Sequence, residues 1–390
     1  MKWNLMDNAI SFSDKLKLSK FVLSTNRFTN GEKVLELESE WNKWLGSKYS
    51  LFVSSGSTAN FLLVAAIKEM YGLKTGDKVL VPACTWMTNV APIIQLGLQP
   101  IFCDINFNDF SFDHDDLEYI SQQHKDIKLI FVTHLLGFPS TASTFGILED
   151  LFPKAIVIDD VCESHGCLDS FGNKIGSNSI GATFSTYFGH HLTTIEGGFV
   201  STFNEELYDL MKMKRSHGLA RESINFKDYA DQNLDIDKQF LFITDGYNFR
   251  NTELGAVLGL SQLSKLDKSI STRNKNYKMY CDIMIDSTDL FYNTNYRVGV
   301  SSFCFPFVCK SLDIYNNLKH KLQTNNIEYR PIVSGNLLKQ PFLKDYTLCT
   351  NKNQNYYNVD YLHTHGLYIG NSQFVGRKHI RKLEDIINEL

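Results

Sequence analysis

The feature that constrains the fold most is a series of short apolar segments that alternate with helical patterns in the first half of the chain. Most of these segments are continuously apolar, which is typical of strands in a parallel or mixed sheet covered by helices on both faces. The predicted strands are 49–53, 78–82, 100–104, 129–133 and 155–160. Because ligands of such sheets bind beyond the carboxyl ends of the strands, the residues that follow each strand are the first candidates for a site.

The remaining sequence predicts how the chain is divided. Helical spacing at 14–25 precedes the first strand, and the polar stretch 220–240 has no clear period and is predicted to be a loop. Beyond about 275 the pattern changes to that of a smaller α+β unit. We therefore expect an N-terminal segment and large domain over 1–270 and a small domain over 271–390. A chain of 390 residues is long enough for both.

Charge and hydropathy narrow the class of protein. The net charge is −4 and lysines alternate with acids, so no nucleic-acid partner is expected. No apolar run reaches the ~18 residues that span a bilayer, and residues 1–8 lack the pattern of a signal peptide. We expect a cytoplasmic protein whose eight cysteines are mostly reduced thiols. Cys162, His165 and Cys167 could be read as metal ligands, but their spacing favours small buried side chains and no metal.

The turn after the first strand has the composition of an anion site. Residues 54–60 are small and rich in hydroxyl groups, and they lead into the apolar helical segment 61–67. The first N–H groups of a helix are free and its dipole favours negative charge, and Gly56 would let a phosphate approach closely. The alternative is N-capping of the helix by Ser57 or Thr58.

A second unusual stretch is 184–198, in which two adjacent histidines stand in a turn between β-forming residues. An acidic turn, Glu196-Gly197-Gly198, closes it. Taken alone, His190 and His191 could be a structural doublet. The stretch nevertheless follows a strand, as do Ser57, Trp86 and Asp160, so these groups could converge on one site.

Five motifs together resemble a known family. They are Ser-Gly-Ser-Thr-Ala at 55–59, Trp86, Val-Ile-Asp-Asp-x-x-Glu-Ser-His-Gly at 157–166, Glu-Gly-Gly at 196–198 and Gly-Tyr-Asn-x-Arg at 246–250. In this order they resemble the sugar aminotransferases that use pyridoxal phosphate. The resemblance covers nearly the whole chain. It implies the aspartate-aminotransferase fold (fold type I, α/β), with a large, mixed, mostly parallel sheet, and a homodimer whose active sites are shared across the interface.

One position departs from the aminotransferase pattern. The family has a lysine five residues after the serine of this turn, where it binds the cofactor covalently; counted from Ser185, that position is His190. With this histidine, and with Arg-Pro-Ile-Val-x-Gly-Asn at 330–336, the chain resembles the sequences of the family's dehydratase branch. The resemblance implies pyridoxal or pyridoxamine 5'-phosphate held non-covalently and loss of the C-3 hydroxyl of a GDP-linked 4-keto-6-deoxy sugar. It also implies that glutamate, converted to 2-oxoglutarate, restores the amine form.

The resemblance further implies roles for single cofactor-binding residues. Asp160 would pair with the pyridine nitrogen, Trp86 would stack on the ring, and Glu163 would contact the ring hydroxyl. His190 would be the catalytic base and then the acid, since an ordinary histidine pKa of ~6.5 suits both tasks. The expected phosphate ligands are Gly56, Ser57, Ser185 and, from the second subunit, Asn248. For Trp86 the alternative is an ordinary core aromatic.

Substrate contacts are expected at Phe28, Thr29, His217, Arg250 and Arg330. The arginines could bind nucleotide phosphates or the glutamate carboxylate, or they could form ordinary surface pairs. His191 is expected to be a structural neighbour of His190.

Three other functions stay open on the sequence. A CDP-sugar dehydratase would need four clustered cysteines for an iron–sulfur cluster, and the C-terminal half offers only Cys281, Cys304, Cys309 and Cys349 in a different arrangement. An aminotransferase would have to recruit another lysine, and a non-catalytic binding protein would have no need of Asp160 and the phosphate turn. The sequence also leaves open whether the sugar is a hexose or a heptose.

Overall fold

The computed structural model of the chain describes residues 2–292, 296–344 and 355–390, so Cys349 lies outside the described residues. Two helices precede the first strand, α1 (Phe12–Ser24) and α2 (Glu32–Leu45). Ser11 and Asp14 form a capping box at the start of α1. Helix α2 ends at Gly46, whose φ of 88° lies in the left-handed region that glycine adopts without strain.

The large sheet confirms the predicted mixed, mostly parallel architecture. Its strands are β1 (Tyr49–Val53), β2 (Lys78–Pro82), β3 (Gln99–Cys103), β4 (Ile127–Thr133), β5 (Ile156–Asp160), β6 (Ala182–Ser185) and β7 (Gly198–Thr202). They lie in the order β1-β7-β6-β5-β4-β2-β3. The pairs from β3 to β6 are parallel, and β7 runs antiparallel to both β6 and β1. The carboxyl ends of β5 and β6 therefore meet at the same edge of the sheet.

Nine helices of the described chain follow β1 and precede the small sheet. They are α3 (Gly56–Met70), α4 (Ala91–Gln95), α5 (His114–Gln123), α6 (Thr141–Thr144), α7 (Ile147–Leu151), α8 (Glu205–Arg215), α9 (Phe226–Gln232), α10 (Glu253–Leu263) and α11 (Leu266–Ile285). Helix α3 is buried along most of its length, as its apolar sequence predicts, because it packs on strands β6 and β7 and on helix α8. This packing brings the N-terminus of α3 to the end of β6.

The C-terminal part forms a small antiparallel sheet with helices. Its strands are β8 (Phe291–Tyr292), β9 (Cys304–Cys309), β10 (Tyr329–Pro331) and β11 (Gly366–Gly370), and its helices are α12 (Leu312–Thr324), α13 (Tyr357–His365) and α14 (Arg377–Asn388). Helix α11 runs through residue 270 without a break, and one buried apolar cluster contains residues of both sheets. The division at 270 and 271 stays a prediction.

One feature differs from the sequence prediction. The stretch 220–240 is not a loop throughout, because it contains helix α9 and 3-10 turns at Ala220–Glu222 and Lys238–Phe240. Of the seven residues of α9 only Ala230 is buried, so no apolar stripe marks this helix in the sequence. In the described parts of the chain, no helix is long and apolar enough to cross a membrane.

Candidate active site

A cavity of about 340 Å³ lies beyond the carboxyl ends of the central strands, between the two sheets. Eight of the residues predicted to form the site line it: Gly56, Ser57, Trp86, Asp160, Glu163, Ser185, His190 and Arg330. They come from turns that are far apart in the chain, and the parallel sheet brings them together as predicted.

The turn between β1 and α3 forms one wall. Ser55 is the N-cap of α3, where its hydroxyl accepts the N–H of Thr58 and the Thr58 hydroxyl accepts the N–H of Ser55. The alternative of capping by Ser57 or Thr58 is therefore wrong. A Cβ on Gly56 would lie 2.7 Å from Cβ of Ser185, so only glycine lets the helix N-terminus approach the end of β6 this closely. The start of α3, where the first backbone N–H groups have no partner within the helix, and the hydroxyl-bearing Ser57 and Ser185 therefore lie together in the cavity wall, an arrangement that suits an anion.

Asp160 ends β5 and is buried. Its Oδ2 accepts a hydrogen bond from Nδ2 of Asn60 at 2.9 Å, and its Oδ1 accepts the N–H of Cys162 at 2.8 Å. Both donors fix the orientation of the carboxyl group. A fixed, buried carboxylate in the cavity wall suits a protonated ring nitrogen as its partner.

Glu163 lies on the neighbouring wall, where Oε2 accepts the N–H of Leu136 at 3.0 Å. Burial, with a smaller effect from the Asp160 charge, raises the pKa of Glu163 to about 7. Trp86 also faces the cavity and is 57% exposed, so it is not an ordinary core aromatic.

His190 stands in a tight turn that its own N–H closes by bonding to the carbonyl of Tyr187 at 3.0 Å. Its ring lies 5.8 Å from the Tyr187 ring and 5.4 Å from the Phe303 ring, between centroids, and its buried Nδ1 has no described hydrogen-bond partner. Burial, helped by the nearby Arg273 guanidinium, lowers the pKa of His190 to about 4. The imidazole is therefore neutral at physiological pH.

The second histidine of the pair points elsewhere. His191 is buried, and its Nε2 lies 3.1 Å from the carbonyl oxygen of Ser301. This contact connects the turn to the chain segment before β9 and leaves His191 outside the cavity lining.

Leu5, Met6, Asp7 and Arg273 are among the cavity-lining residues that sequence reasoning missed. Leu5, Met6 and Asp7 belong to an N-terminal segment that runs along the small sheet, where Trp3 pairs with Ile327. This segment has no regular pattern in the sequence. The one signal that it packs against the rest of the protein is Trp3, a large apolar residue that is buried in the structure. Arg273 reaches the cavity from α11. Nothing in the sequence distinguishes it from the other polar residues of this helix.

Five predicted residues do not line the cavity of their own chain: Phe28, Thr29, His217, Asn248 and Arg250. They belong to neighbouring segments, since Asn248 pairs with Ser216 and the Arg250 guanidinium lies 3.4 Å from Nε2 of His217. The carbonyl of Phe28 accepts the N–H of Glu253 at the start of α10.

The cavity fits the cofactor that the resemblance implies. Gly56 and Ser57 at the start of α3 and the hydroxyl of Ser185 line the part of the cavity that suits the phosphate, and the buried carboxylate of Asp160 suits the pyridine nitrogen. In the described parts of the chain no lysine lines this cavity, and His190 occupies the wall where a covalent attachment would be expected. The residues therefore suit non-covalent binding.

Comparison with known proteins gives the same picture. Residues 12–382 match the sequence model of the DegT/DnrJ/EryC1/StrS aminotransferase family. GDP-4-keto-6-deoxy-D-mannose 3-dehydratase of Escherichia coli O55:H7 is 36% identical over 371 residues, which cover 92% of each chain. The enzyme of the same name from Yersinia pseudotuberculosis is 35% identical over 383 residues, which cover 94% of each chain.

Solved structures agree with this assignment. The E. coli GDP-4-keto-6-deoxy-D-mannose-3-dehydratase with bound hydrated PLP has a TM-score of 0.91 at 31% identity and covers 99% of both chains. A GDP-4-keto-6-deoxymannose-3-dehydratase with a trapped PLP-glutamate geminal diamine has a TM-score of 0.89 at 31% identity and covers 99% of this chain. These likenesses confirm fold type I. The chain therefore belongs to the DegT/DnrJ/EryC1/StrS aminotransferase family.

Proposed function

We propose that the protein is a 3-dehydratase that removes the C-3 hydroxyl of a GDP-linked 4-keto-6-deoxy sugar. It uses pyridoxal or pyridoxamine 5'-phosphate bound non-covalently, and glutamate as the amino donor. The observation that carries the proposal is that His190 lines a cavity without a lysine among its described lining residues, together with Gly56, Ser57, Trp86, Asp160, Glu163 and Ser185. The relatives that bear this activity in their names are similar over more than nine-tenths of the chain.

Each group of the cavity has a task in this reaction. When bound, the cofactor supplies an amine that can condense with the C-4 ketone and a ring that accepts electrons. Gly56, Ser57 and Ser185 would bind its phosphate, and Asp160 would pair with its ring nitrogen. Trp86 would stack on the ring, and Glu163 would contact the ring hydroxyl.

His190 moves the proton. Its low pKa keeps the imidazole neutral, so it could accept the proton lost from the carbon that carries the cofactor's amine. The resulting imidazolium would be a stronger acid than an ordinary histidine, and it could donate that proton to the C-3 oxygen as the oxygen departs. A lysine at this position would instead favour transfer of the amino group.

The overall equation balances without an external reductant. The keto sugar loses one oxygen atom, and glutamate gains one on becoming 2-oxoglutarate and ammonia. This distinguishes the proposal from a CDP-sugar dehydratase, which needs electrons from a reductase through an iron–sulfur cluster. Among the described residues, no three or more His, Cys, Asp or Glu side chains are placed to hold a metal ion. Assay of iron and acid-labile sulfide in protein purified without oxygen separates the two functions, since stoichiometric iron would contradict the proposal.

The five predicted residues outside the cavity support a homodimer with shared sites. Arg250 and His217 contact each other at the surface, and Asn248 lies beside them, so they could extend into the cavity of a second copy. We further propose a cytoplasmic enzyme of deoxysugar synthesis for a surface polysaccharide such as lipopolysaccharide or capsule. The described cysteines are free thiols, as in a reducing compartment.

The decisive experiment is mass spectrometry of the products formed from GDP-, CDP- and dTDP-linked 4-keto sugars, with glutamate and cofactor added. The proposal predicts a GDP-linked product lighter by one oxygen atom, together with stoichiometric 2-oxoglutarate and ammonia. A product in which the C-4 oxygen is replaced by an amino group would show an aminotransferase. Including a GDP-linked 4-keto heptose decides between hexose and heptose.

A further inference from the structure

The guanidinium of Arg273 is a buried cation in the cavity wall that has no described counter-ion. Arg273 is only 5% exposed. In residues 2–292, 296–344 and 355–390, none of the ion pairs involves Arg273. A buried charge without a partner is costly, so its retention in a cavity needs an explanation.

Backbone carbonyls hold this side chain in place but do not neutralise it. Nη1 donates to the carbonyl of Phe303 at 3.1 Å and to the carbonyl of Asn371. The amide of Asn371 in turn donates to the carbonyl of Arg273 at 2.9 Å, which fixes the segment from both sides. Nε has no described hydrogen-bond partner, so the guanidinium retains donor capacity.

The surroundings of Arg273 leave its positive charge largely uncompensated. Burial lowers the pKa of Arg273 to about 10, and the nearby Asp7 carboxyl offsets part of this effect. Burial lowers the pKa values of His165, His190 and His191, and the guanidinium adds to this effect, so the three imidazoles stay neutral beside it. Of the carboxyl groups that line the cavity, Asp7 is the one that acts on the pKa of Arg273, and it is held by hydrogen bonds from Asn4 and Ser372.

We infer that Arg273 is the binding residue for a carboxylate of the amino-acid co-substrate, and that Asp7 limits the affinity of this site. The inference rests on the proposed function, because glutamate is the anion that must enter the cavity when the phosphate turn at Gly56 and Ser57 is occupied. Arginine suits this task, since its planar donors match a carboxylate. Arg330 also lines the cavity, but it is exposed, so its charge is screened by water.

The test measures binding of glutarate, an unreactive dicarboxylate, to the cofactor-loaded enzyme by isothermal titration calorimetry. We expect R273Q to raise the Kd for glutarate at least about tenfold, because a hydrogen bond to a charged group is lost. R273K, which keeps the charge but not the planar donors, should fall between R273Q and the wild type. R330Q is the matched control for loss of an exposed positive charge in the same cavity, and it should change the Kd less than R273Q.

The substitution D7N gives an independent test, because it removes the competing carboxylate without touching Arg273. It should lower the Kd for glutarate at least severalfold, because it removes a negative charge that repels the ligand carboxylate. The inference is overturned if folded R273Q binds glutarate like the wild type, or if D7N does not tighten binding. If R273Q does not fold, D7N alone decides.

Failure of this inference can be told from failure of the proposed function. Glutarate binding does not depend on dehydration of a sugar. The enzyme could bind glutarate through Arg273 and yet dehydrate none of the keto sugars. That result would support the carboxylate site and contradict the dehydratase function. If the wild type dehydrates a keto sugar and R273Q binds glutarate normally, the dehydratase function is supported and the carboxylate site at Arg273 is contradicted.

Discussion

The side-chain amide of Asn60 donates a hydrogen bond of 2.9 Å to Oδ2 of Asp160, although the two residues are 100 positions apart in the chain. Asn60 lies in the second turn of α3 and Asp160 at the end of β5, so the bond links the phosphate-binding helix to the ring-binding carboxylate. With the N–H of Cys162 on the other oxygen, it fixes the direction in which Asp160 faces the cavity.

The first prediction concerns this bond. N60A should lower kcat/KM for the keto sugar by about tenfold, because a hydrogen bond to a charged group is worth ~1.5–3 kcal/mol. Steady-state kinetics with saturating cofactor would measure the loss. T88V is the control, since Oγ1 of Thr88 lies 3.4 Å from Nδ2 of Asn60 but does not contact Asp160 in the described structure. Equal activity of N60A and the wild type would show that Asp160 needs no orienting partner.

The second prediction concerns the phosphate space. G56A should raise the Kd for pyridoxal phosphate at least about tenfold, since the new Cβ would lie 2.7 Å from Cβ of Ser185 and would displace one wall. Absorbance titration of the cofactor measures this. G376A is the matched control, because a Cβ there meets nothing within 4 Å. Unchanged cofactor affinity in G56A would remove this turn from the binding site.

The third prediction concerns Glu163 and pH. Because burial raises the pKa of Glu163 to about 7, the folded state binds this proton more tightly than the unfolded state does. The carboxyl's contribution to stability is therefore complete below its ordinary pKa of 4.5 and is lost as pH rises through about 7.

Urea denaturation of the cofactor-free protein tests this relationship. Between pH 5 and pH 8, the free energy of unfolding of the wild type should fall relative to that of E163Q by up to about 3 kcal/mol. E163Q carries the same shape without the titration, so it cancels the effect of every other group. Parallel curves for the two proteins would mean that Glu163 is ionised in the folded state throughout this range.

Much of this site could be predicted from sequence, for a physical reason. Gly56, Asp160 and Ser185 stand directly at the ends or starts of regular elements, and the ends of parallel strands converge whatever the details of packing. The strands themselves are marked by continuous apolar runs. His190 could be recognised because it occupies a position where the resemblance implies a lysine.

The residues that were missed act through tertiary contacts that leave no local pattern. Asn60 is a polar residue in an otherwise apolar helix, and its partner lies on another element. Asp7 reaches the cavity only because Trp3 is buried against the small sheet, where Nε1 donates to the carbonyl of Gly370 at 2.8 Å. Helix α9 was missed because almost all of its residues are solvent-facing.

The fourth prediction concerns the proposed dimer. H190N and R250A homodimers should each be inactive or strongly impaired, since each would lack one contribution to every shared site. After the two are mixed and allowed to exchange subunits, activity should recover to about a quarter of the wild-type value, because half of the dimers would carry one intact site. Native mass spectrometry would confirm the mixed dimer. A mixed dimer without recovered activity would place Arg250 outside the partner's site.

The central claim is that His190 removes the hydroxyl rather than merely shaping the cavity. The most direct measurement is a single-turnover experiment with H190N, loaded with pyridoxamine phosphate and mixed with the GDP-linked 4-keto sugar, with products followed by mass spectrometry and cofactor occupancy by absorbance. We expect H190N to bind the cofactor with nearly wild-type affinity and to form no 3-deoxy sugar. Formation of the 3-deoxy sugar at the wild-type rate would contradict the account.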